Sequence, residues 1–451
     1  MTIANKKEPF LLLVGDLIAF ILSLWITLFV RYAQAPSLEL LISHFIPFSA
    51  LFVIWIIVFF VAGLYEKHTV ILKNKLPSII LNSQIINTAC AVLFFYLAPT
   101  IAPVFAAIAP KFNLFLYLVV SFICVVSWRL YGYEYVGTKS KQKGILIGSG
   151  QEMKELFEEV NNNSRYSLEF VSSIDLDTID NLDFQQEIIA RVYAEKISII
   201  AVDLKNEKVE PILPKLYNLI FSKIVFIDMH KIYEDIFDRV PISLVQYNWF
   251  IENISLSPRS IHDFLKRVMD IALSLFLGFF ALLMYPFVFV AIKLEDGGPI
   301  LISQERVGKN NKTITLYKFR SMKGNDGGRW LTENDNRHTK VGKFLRSSRI
   351  DEFPQLWNVL RGDISLIGPR PDILNLGLKL AKEIPYYNVR NIIKPGLSGW
   401  AQIHQDKPPQ SVIETKLRLA YDLYYIKNRS FLLDLKIALR TLKTLVAREG
   451  M

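Results

Sequence analysis

The first 130 residues alternate long apolar runs with short polar breaks, a pattern that predicts membrane-spanning helices. Residues 10–30 (FLLLVGDLIAFILSLWITLFV) are interrupted only by Asp16 and are long enough to cross a hydrocarbon core of about 30 Å. The run exceeds a signal-peptide core and no small-residue cleavage pattern follows it, so a retained anchor is expected. Further runs at about 45–64, 80–102 and 112–130 make four spans, and Asp16 is read as structural within them.

The pattern changes near residue 142. KGILIGSGQEMKELFEEV is a short apolar strand, a Gly148-Ser149-Gly150 turn and a helical period; ISIIAVDL and KIVFIDM read as further buried strands between helical stretches. Such alternation predicts a small parallel α/β domain, Rossmann-like, over 142–250. Met153 stands where a dinucleotide fingerprint has its third glycine, so no bound dinucleotide is expected, although acids between Ser173 and Asp177 lie at about the distance of a ribose contact.

From Pro258 a base-rich helical segment leads into DIALSLFLGFFALLMYPFVFVAIKL, a fifth run long enough to span. Its Pro286 removes a backbone hydrogen bond and bends a helix. In TITLYKFRSM, period-two alternation sets Lys318 and Arg320 on one strand face, where two cations can meet a diphosphate. FPQLWNVLR reads as a short helix, because Pro354 suits only a first turn and Gly362 suits the position past the end. DISLI reads as a strand. Near the C-terminus, Leu435, Leu439, Leu442 and Val446 form one helical stripe and Lys436, Arg440 and Lys443 another, which suits an anionic membrane surface or packing on the domain.

Composition sharpens this picture. Of 451 residues 51% are hydrophobic, and the mean hydropathy of +0.28 exceeds that of an ordinary soluble chain. The net charge of +10 is uneven: 142–257 is acid-rich and the C-terminal part base-rich, so the latter is expected to meet phosphates and anionic lipid. No zinc, helix-turn-helix or RNP pattern supports nucleic acid as its partner. Cys90 and Cys124, both in apolar runs, argue against a disulfide framework or a cysteine metal site. Lys6 and Lys7 precede the first run, Lys67, Lys73 and Lys75 follow the second, and Arg129, Lys139, Lys141 and Lys143 follow the fourth; the other loops hold only Lys111. The positive-inside rule then places both ends in the cytoplasm.

The candidate chemistry lies between Asp335 and Pro371. Asp351 and Glu352 sit between a basic approach (Lys343, Arg346, Arg349) and Arg370, which is fixed between Pro369 and Pro371. An Asp-Glu pair at a helix start is often a solvated cap. Here clustered arginines and turn-forming glycines and prolines point instead to anion handling. The helix N-terminus is expected to keep one carboxylate ionised as a nucleophile near neutral pH, and a rigid guanidinium suits bidentate contact with phosphate.

LRSSRIDEFPQLWNVLRGDISLIGPRP resembles the core of the bacterial sugar transferases, the monotopic polyprenyl-phosphate phosphoglycosyl transferases. The resemblance continues in QERVG, KFRSM, KPGLSGWAQ and DLYYIKNRSFLLDLKI, in family order, over roughly 258–451. The N-terminal organisation is similar to that of the large members. The resemblance implies a four-helix transmembrane region (1–135), a Rossmann-like domain without cofactor (142–250) and a mixed α/β catalytic domain (258–451) whose helix at about 266–293 breaks at Pro286 and re-enters the face it left. It implies transfer of a phosphosugar from a UDP-sugar to undecaprenyl phosphate at the cytoplasmic face of the inner membrane, with UMP released, for exopolysaccharide, capsule, O-antigen or glycan assembly. Asp351 would form a covalent intermediate and Glu352 would bind Mg²⁺. Arg346, Arg370, Lys318 and Arg320 would hold phosphate, and Gly368, Pro369 and Pro371 would shape the nucleotide site. Asp335, Asp363 and Asp422 also match family positions, and the large members form homodimers. Three motifs depart from the family: Tyr285 stands before Pro286, Asn336 within Asp335-Asn336-Arg337, and Arg349-Ile350 before the dyad. The rival expectation is a catalytically inactive membrane scaffold.

Overall fold

A computed structural model describes residues 7–65, 76–101, 111–132, 141–163, 166, 168–177, 188–222, 224–254, 260–295, 297–322, 339–405 and 407–447. The chain divides into two compact units, Met1–Ile236 and Phe237–Met451.

The first unit opens with α1 (Lys7–Tyr32), α2 (Leu38–Val61), α3 (Leu76–Ile101) and α4 (Lys111–Ser127), the last running into a π-helical turn, Trp128–Gly132. All four are long and apolar enough to cross a membrane. Their shared core is aromatic, with Phe20, Phe48, Phe52, Trp55, Phe59 and Tyr117 buried together. Asp16 is fully buried and ion-paired to Arg129, takes a 2.8 Å bond from Tyr65 Oη, and thereby ties α1 to the end of α4. Arg129 Nη1 also donates to Leu64 O at 2.6 Å. Arg129, counted among the basic residues that follow the fourth run, is therefore a bundle cross-link. Lys6, Lys67, Lys73, Lys75 and Lys139 lie outside the described residues.

The same unit holds a parallel sheet in the order β2-β1-β3-β4, from β1 (Gln142–Gly148), β2 (Leu168–Asp175), β3 (Ile199–Val202) and β4 (Val225–Asp228). Helices α5 (Gly150–Asn162), α6 (Ala190–Ala194), α7 (Leu213–Asn218) and α8 (Met229–Phe237) alternate with the strands. The carboxyl end of β1 is the usual ligand crevice of such sheets. Asn206 Nδ2 donates to Ser149 Oγ at 2.8 Å, and a Cβ on Gly148 would come within 2.7 Å of Met229 Sδ.

The second unit begins earlier than the expected boundary near 250. Val240, Val245 and Trp249, the last on α9 (Tyr247–Asn253), join its core. Val240 N donates to Ala420 O, and Asp238 O accepts from Trp400 Nε1 at 2.8 Å. Apolar residues past α8 thus close over the core of the second unit.

Helix α10 (Ser260–Glu295) runs 36 residues and continues through Pro286 instead of ending there. Antiparallel β5 (Leu301–Val307) and β6 (Thr313–Phe319) follow, then α11 (Lys340–Ser347), α12 (Gln355–Arg361), β7 (Ser365–Ile367), α13 (Leu374–Glu383), β8 (Gly396–Ser398), α14 (Val412–Asn428) and α15 (Phe431–Ala447). Both ends of α10 are held by this unit. Near its start, Lys266 Nζ meets buried Asp434 at 3.0 Å, and Asp270 accepts from Ser365 Oγ and Leu366 N at 3.0 Å. Near its end, Val288 and Ile292 pack with Phe319, Leu345 and Ile350, and Glu295 accepts from Lys340 N and Val341 N. Between them Leu275, Phe276, Phe279, Leu282 and Phe287 are exposed. On α15, Ile437 and Asp434 are buried while Leu432, Leu435 and Leu442 face outward. Two of the expected basic residues instead dock inward, Lys436 over the Trp400 ring and Arg440 onto His404 Nε2 at 3.0 Å.

Candidate active site

The carboxylates are delivered by a tight turn between two helices. Thr339 caps α11, its Oγ1 accepting from Gly342 N at 2.9 Å. Gly342 lets α11 press against the end of β6, for a Cβ there would stand 2.0 Å from Ser321 O. Arg349 then takes a left-handed conformation (φ 56°), turning the chain into a 3₁₀ turn, Ile350–Glu352, that leads to α12. Pro354 immediately precedes α12 and Gly362 ends it at φ 88°, donating to Asn358 O and Val359 O at 3.0 Å, as the sequence predicts. Asp351 is 6% exposed. Glu352 Oε1 collects three cations: Arg370 Nη2 at 2.6 Å, Lys318 Nζ at 3.6 Å and Arg349 Nη1 at 3.9 Å.

The backbone around Arg370 is fixed from several sides. Parallel β7 and β8 pair Ser365 with Gly396 and Ile367 with Ser398. Gly368 N then donates to Ser398 O at 2.8 Å and Gly396 N to Pro369 O at 3.0 Å. A Cβ on Gly368 would lie 2.7 Å from Lys394 O, so the turn requires glycine. Arg306 Nη1 donates to Pro371 O at 2.9 Å, and fully buried Arg390 donates Nη2 to Arg370 O at 2.8 Å. Arg390 is itself paired with Asp372 and Asp422, and Arg418 and Tyr387 complete Asp372's partners.

Electrostatics divide the dyad. Burial, then the neighbouring Glu352 charge, pushes the Asp351 carboxyl up to about 6. Burial would raise Glu352 too, but Arg370, Lys318 and Arg349 outweigh it and hold it well below the carboxylate range. The helix N-terminus is expected to keep one carboxylate ionised near neutral pH; in the structure Glu352 is held ionised by its cations, while burial and a like charge raise Asp351. Burial also lowers the Lys318 ammonium to about 8.

Among the expected phosphate ligands, Lys318 and Arg370 converge on Glu352. Arg346 contributes a favourable charge to Asp351 and its Nη1 contacts Met322 Sδ at 3.2 Å. Arg320 lies one residue past β6 with its guanidinium against Gly298. Gly368, Pro369 and Pro371 shape the Arg370 turn, and Pro286 lies on α10 within the segment leading to Val288. Asp363 closes α12 through Asn358 Nδ2 at 3.0 Å and Arg361 at 3.2 Å, and Asp422 serves Arg390. Asp335, Asn336 and Arg337 lie outside the described residues. The sequence reading missed Arg306, Asp372, Arg390 and Arg418; the only signal was a charge directly after Pro371 and arginines in otherwise apolar segments.

The bacterial sugar transferase family profile matches residues 261–448. The uncharacterized sugar transferase EpsL of Bacillus subtilis is 38% identical over 193 residues, 41% of this chain and 89% of that protein. The chain belongs to the bacterial sugar transferase family. The chain is also 44% identical over 200 residues to the UDP-N-acetylgalactosamine-undecaprenyl-phosphate N-acetylgalactosaminephosphotransferase of Aeromonas hydrophila, covering 44% of this chain and 47% of that one. Against the undecaprenyl-phosphate glucose phosphotransferase of Komagataeibacter xylinus, identity is 30% over 324 residues, 67% of this chain and 58% of that one. The chain thus spans about half the length of the Aeromonas relative. The stretch matched by the family profile, 261–448, includes Asp351 and Glu352.

Proposed function

We propose that this protein transfers a phosphosugar from a UDP-sugar to undecaprenyl phosphate, releasing UMP, in bacterial polysaccharide assembly. The observation that carries the proposal is a buried carboxylate, Asp351, beside a second carboxylate held ionised by Arg370, Lys318 and Arg349. An isolated buried acid would favour its neutral form; cations arranged around a nucleophile suit the oxygens of a diphosphate. Relatives named for transfer from UDP-sugars to undecaprenyl phosphate support the same reading.

In the reaction, an Asp351 oxygen attacks the phosphorus bonded to the sugar oxygen. The phosphoanhydride bond breaks and UMP leaves, giving an aspartyl phosphosugar. An oxygen of undecaprenyl phosphate then attacks the same phosphorus and the aspartate departs. Arg370 and Lys318 neutralise charge on the transferring group. Glu352 fits one hard ligand of a Mg²⁺ ion that keeps most of its water, and no cluster of three His, Cys, Asp or Glu among the described residues offers an all-protein cage. Bound there, Mg²⁺ would neutralise diphosphate charge.

The active site is read as cytoplasmic at the bacterial inner membrane, with α10 re-entrant. Support comes from the docking of both ends of α10 on one catalytic unit, since a full crossing would separate them by a bilayer. The sheet domain is read as free of dinucleotide because Met153 stands where the fingerprint has its third glycine, and Met229 packs closely against Gly148.

The test is UMP release by lipid-reconstituted protein with undecaprenyl phosphate, Mg²⁺ and a panel of UDP-sugars, beside Asp351→Asn. Release with one donor that disappears in the variant supports the reaction and identifies the sugar. Undiminished release in Asp351→Asn refutes the covalent route; no release with any donor refutes the proposal.

A further inference from the structure

Two cations from separate elements, Arg267 and Lys394, meet at the end of α12 opposite the carboxylates, and the turn that carries Lys309 is fastened beside the Lys394 segment. Arg267, on α10, donates Nη1 to Val359 O and Nη2 to Leu360 O, each at 2.7 Å. The point where a Cβ of Gly362 would stand is 3.5 Å from Lys394 Nζ and 3.9 Å from Arg267 Nη2, so the two charges overhang the same spot. Lys309 comes from the turn between β5 and β6. Asn391 Nδ2 donates to Asn311 Oδ1 at 2.8 Å and fastens that turn beside the Lys394 segment.

The surrounding acids are already committed. Asp363 is engaged by Arg361 and Asn358, and Asp270 by Ser365 Oγ and Leu366 N. The C-terminal end of α12 carries only about half a negative charge, and Arg267 meets it directly. Lys309 and Lys394 have no ion pair among the described residues. Burial, then the like charge of Arg267 and, more weakly, that of Lys309, lowers the Lys394 ammonium below its ordinary range, against the opposing pull of Asp270 and Asp363. Positive charge is in surplus here and an anion would relieve it.

The surroundings select the anion. Arg267 lies between Phe264 and Val268, which are 67% and 48% exposed on a helix whose apolar side chains stay outward through Phe287. Those side chains require lipid, so the cations stand where the domain meets the headgroup layer. The seven-residue α12 puts about 10 Å between this cluster and the dyad, which separates it from the transferring phosphate.

We propose that Arg267, Lys309 and Lys394 bind the phosphate of an anionic phospholipid headgroup and thereby fix the height of the catalytic unit on the membrane. The site is distinct from the dyad and does not depend on the donor sugar. Arg267 caps α12 and is left intact in the test; the variant is Lys309→Gln with Lys394→Gln.

The thermal midpoint of the full chain in neutral detergent is measured with short-chain phosphatidylglycerol, with phosphatidylcholine of equal chain length, and with inorganic phosphate. The expected result is a rise of about 2–4 °C with phosphatidylglycerol alone. The double variant should lose most of that rise, while a control of equal charge loss, Lys379→Gln with Lys416→Gln, should keep it. An equal rise in the double variant, equal loss in the control, or no rise in the wild type overturns the proposal. An equal response to inorganic phosphate would make this a soluble-anion site and overturn the lipid assignment, as would loss of the lipid response on adding UDP-sugar.

Discussion

Arg370 reaches back 18 residues to donate Nη2 to Glu352 Oε1 at 2.6 Å, and this contact makes two adjacent carboxylates unlike. Glu352 stays ionised, and its charge combines with burial to raise Asp351 to about 6. The nucleophile must be ionised to attack, so its active form is lost as pH falls through about 6. Lys318, lowered to about 8, loses its charge as pH rises through that value. The expected kcat/KM profile for UMP release is therefore a bell with limbs near 6 and 8. An acid limb near the ordinary aspartate value of 3.8 would show that burial does not act on Asp351 as the structure indicates.

The same shift predicts a stability gain from loss of the nucleophile. A carboxyl whose folded value lies above its unfolded value stabilises the fold fully below about 3.8, and the contribution disappears as pH rises through about 6. At pH 8 the ionised Asp351 is thus a net cost of up to about 3 kcal/mol. Asp351→Asn removes that charge while preserving shape. Its thermal midpoint should exceed the wild type's at pH 8 and lose the advantage by pH 4, while activity falls by roughly 10³-fold or more. A midpoint difference independent of pH would contradict this.

Arg370→Met should lower kcat/KM by roughly 10²–10³-fold, the scale for removing a fixed charge that meets a developing anion. It should also move the acid limb upward, because Arg370 is one of the cations that lower Asp351. Lys318 remains to hold Glu352 ionised. Equal activity loss with an unmoved limb would make Arg370 a substrate contact alone.

The site's linear part was legible because its geometry is local. Pro354 and Gly362 bracket α12, and the apolar spacing between them leaves few alternatives. The four spans were equally plain, since twenty apolar residues need no tertiary partner to be recognised. What stayed hidden depends on distant pairing. Nothing near Arg390 announces that it will hold Arg370 O while paired with Asp422, 32 residues onward. Nothing near Arg129 points to its partner, Asp16, 113 residues earlier. Helix-end reasoning likewise carried no sign of Asp351's burial, which is a property of the packed site.

Asp434 offers a test of how α10 is anchored. Its fully buried carboxylate accepts from Tyr425 Oη at 2.6 Å, while Lys266 Nζ and His262 Nε2 reach it at 3.0 Å. Asp434→Asn leaves Lys266 without its counter-charge in a site only 15% exposed. The expected cost is about 3–5 kcal/mol, read as a lower thermal midpoint. Asp434→Asn with Lys266→Met should recover part of it, because the orphaned charge is removed. No recovery would mean that packing at Asp434, rather than charge pairing, sets the stability.

The topology of α10 can be decided by labelling from one side of sealed vesicles. Cysteines at Ser260 and Lys312, in a chain with Cys90 and Cys124 replaced by serine, report the start of α10 and the turn beyond β5. Gly308 is unsuitable because a Cβ there would come within 2.6 Å of Ile314 Cγ2. If α10 returns to the face it left, an impermeant thiol reagent labels both positions from the cytoplasmic side and neither from the other. A crossing helix would instead divide the labels. Its catalytic unit would then have to hold Lys266 and Val288 from opposite faces of a bilayer about 30 Å thick, although both contact the same compact unit.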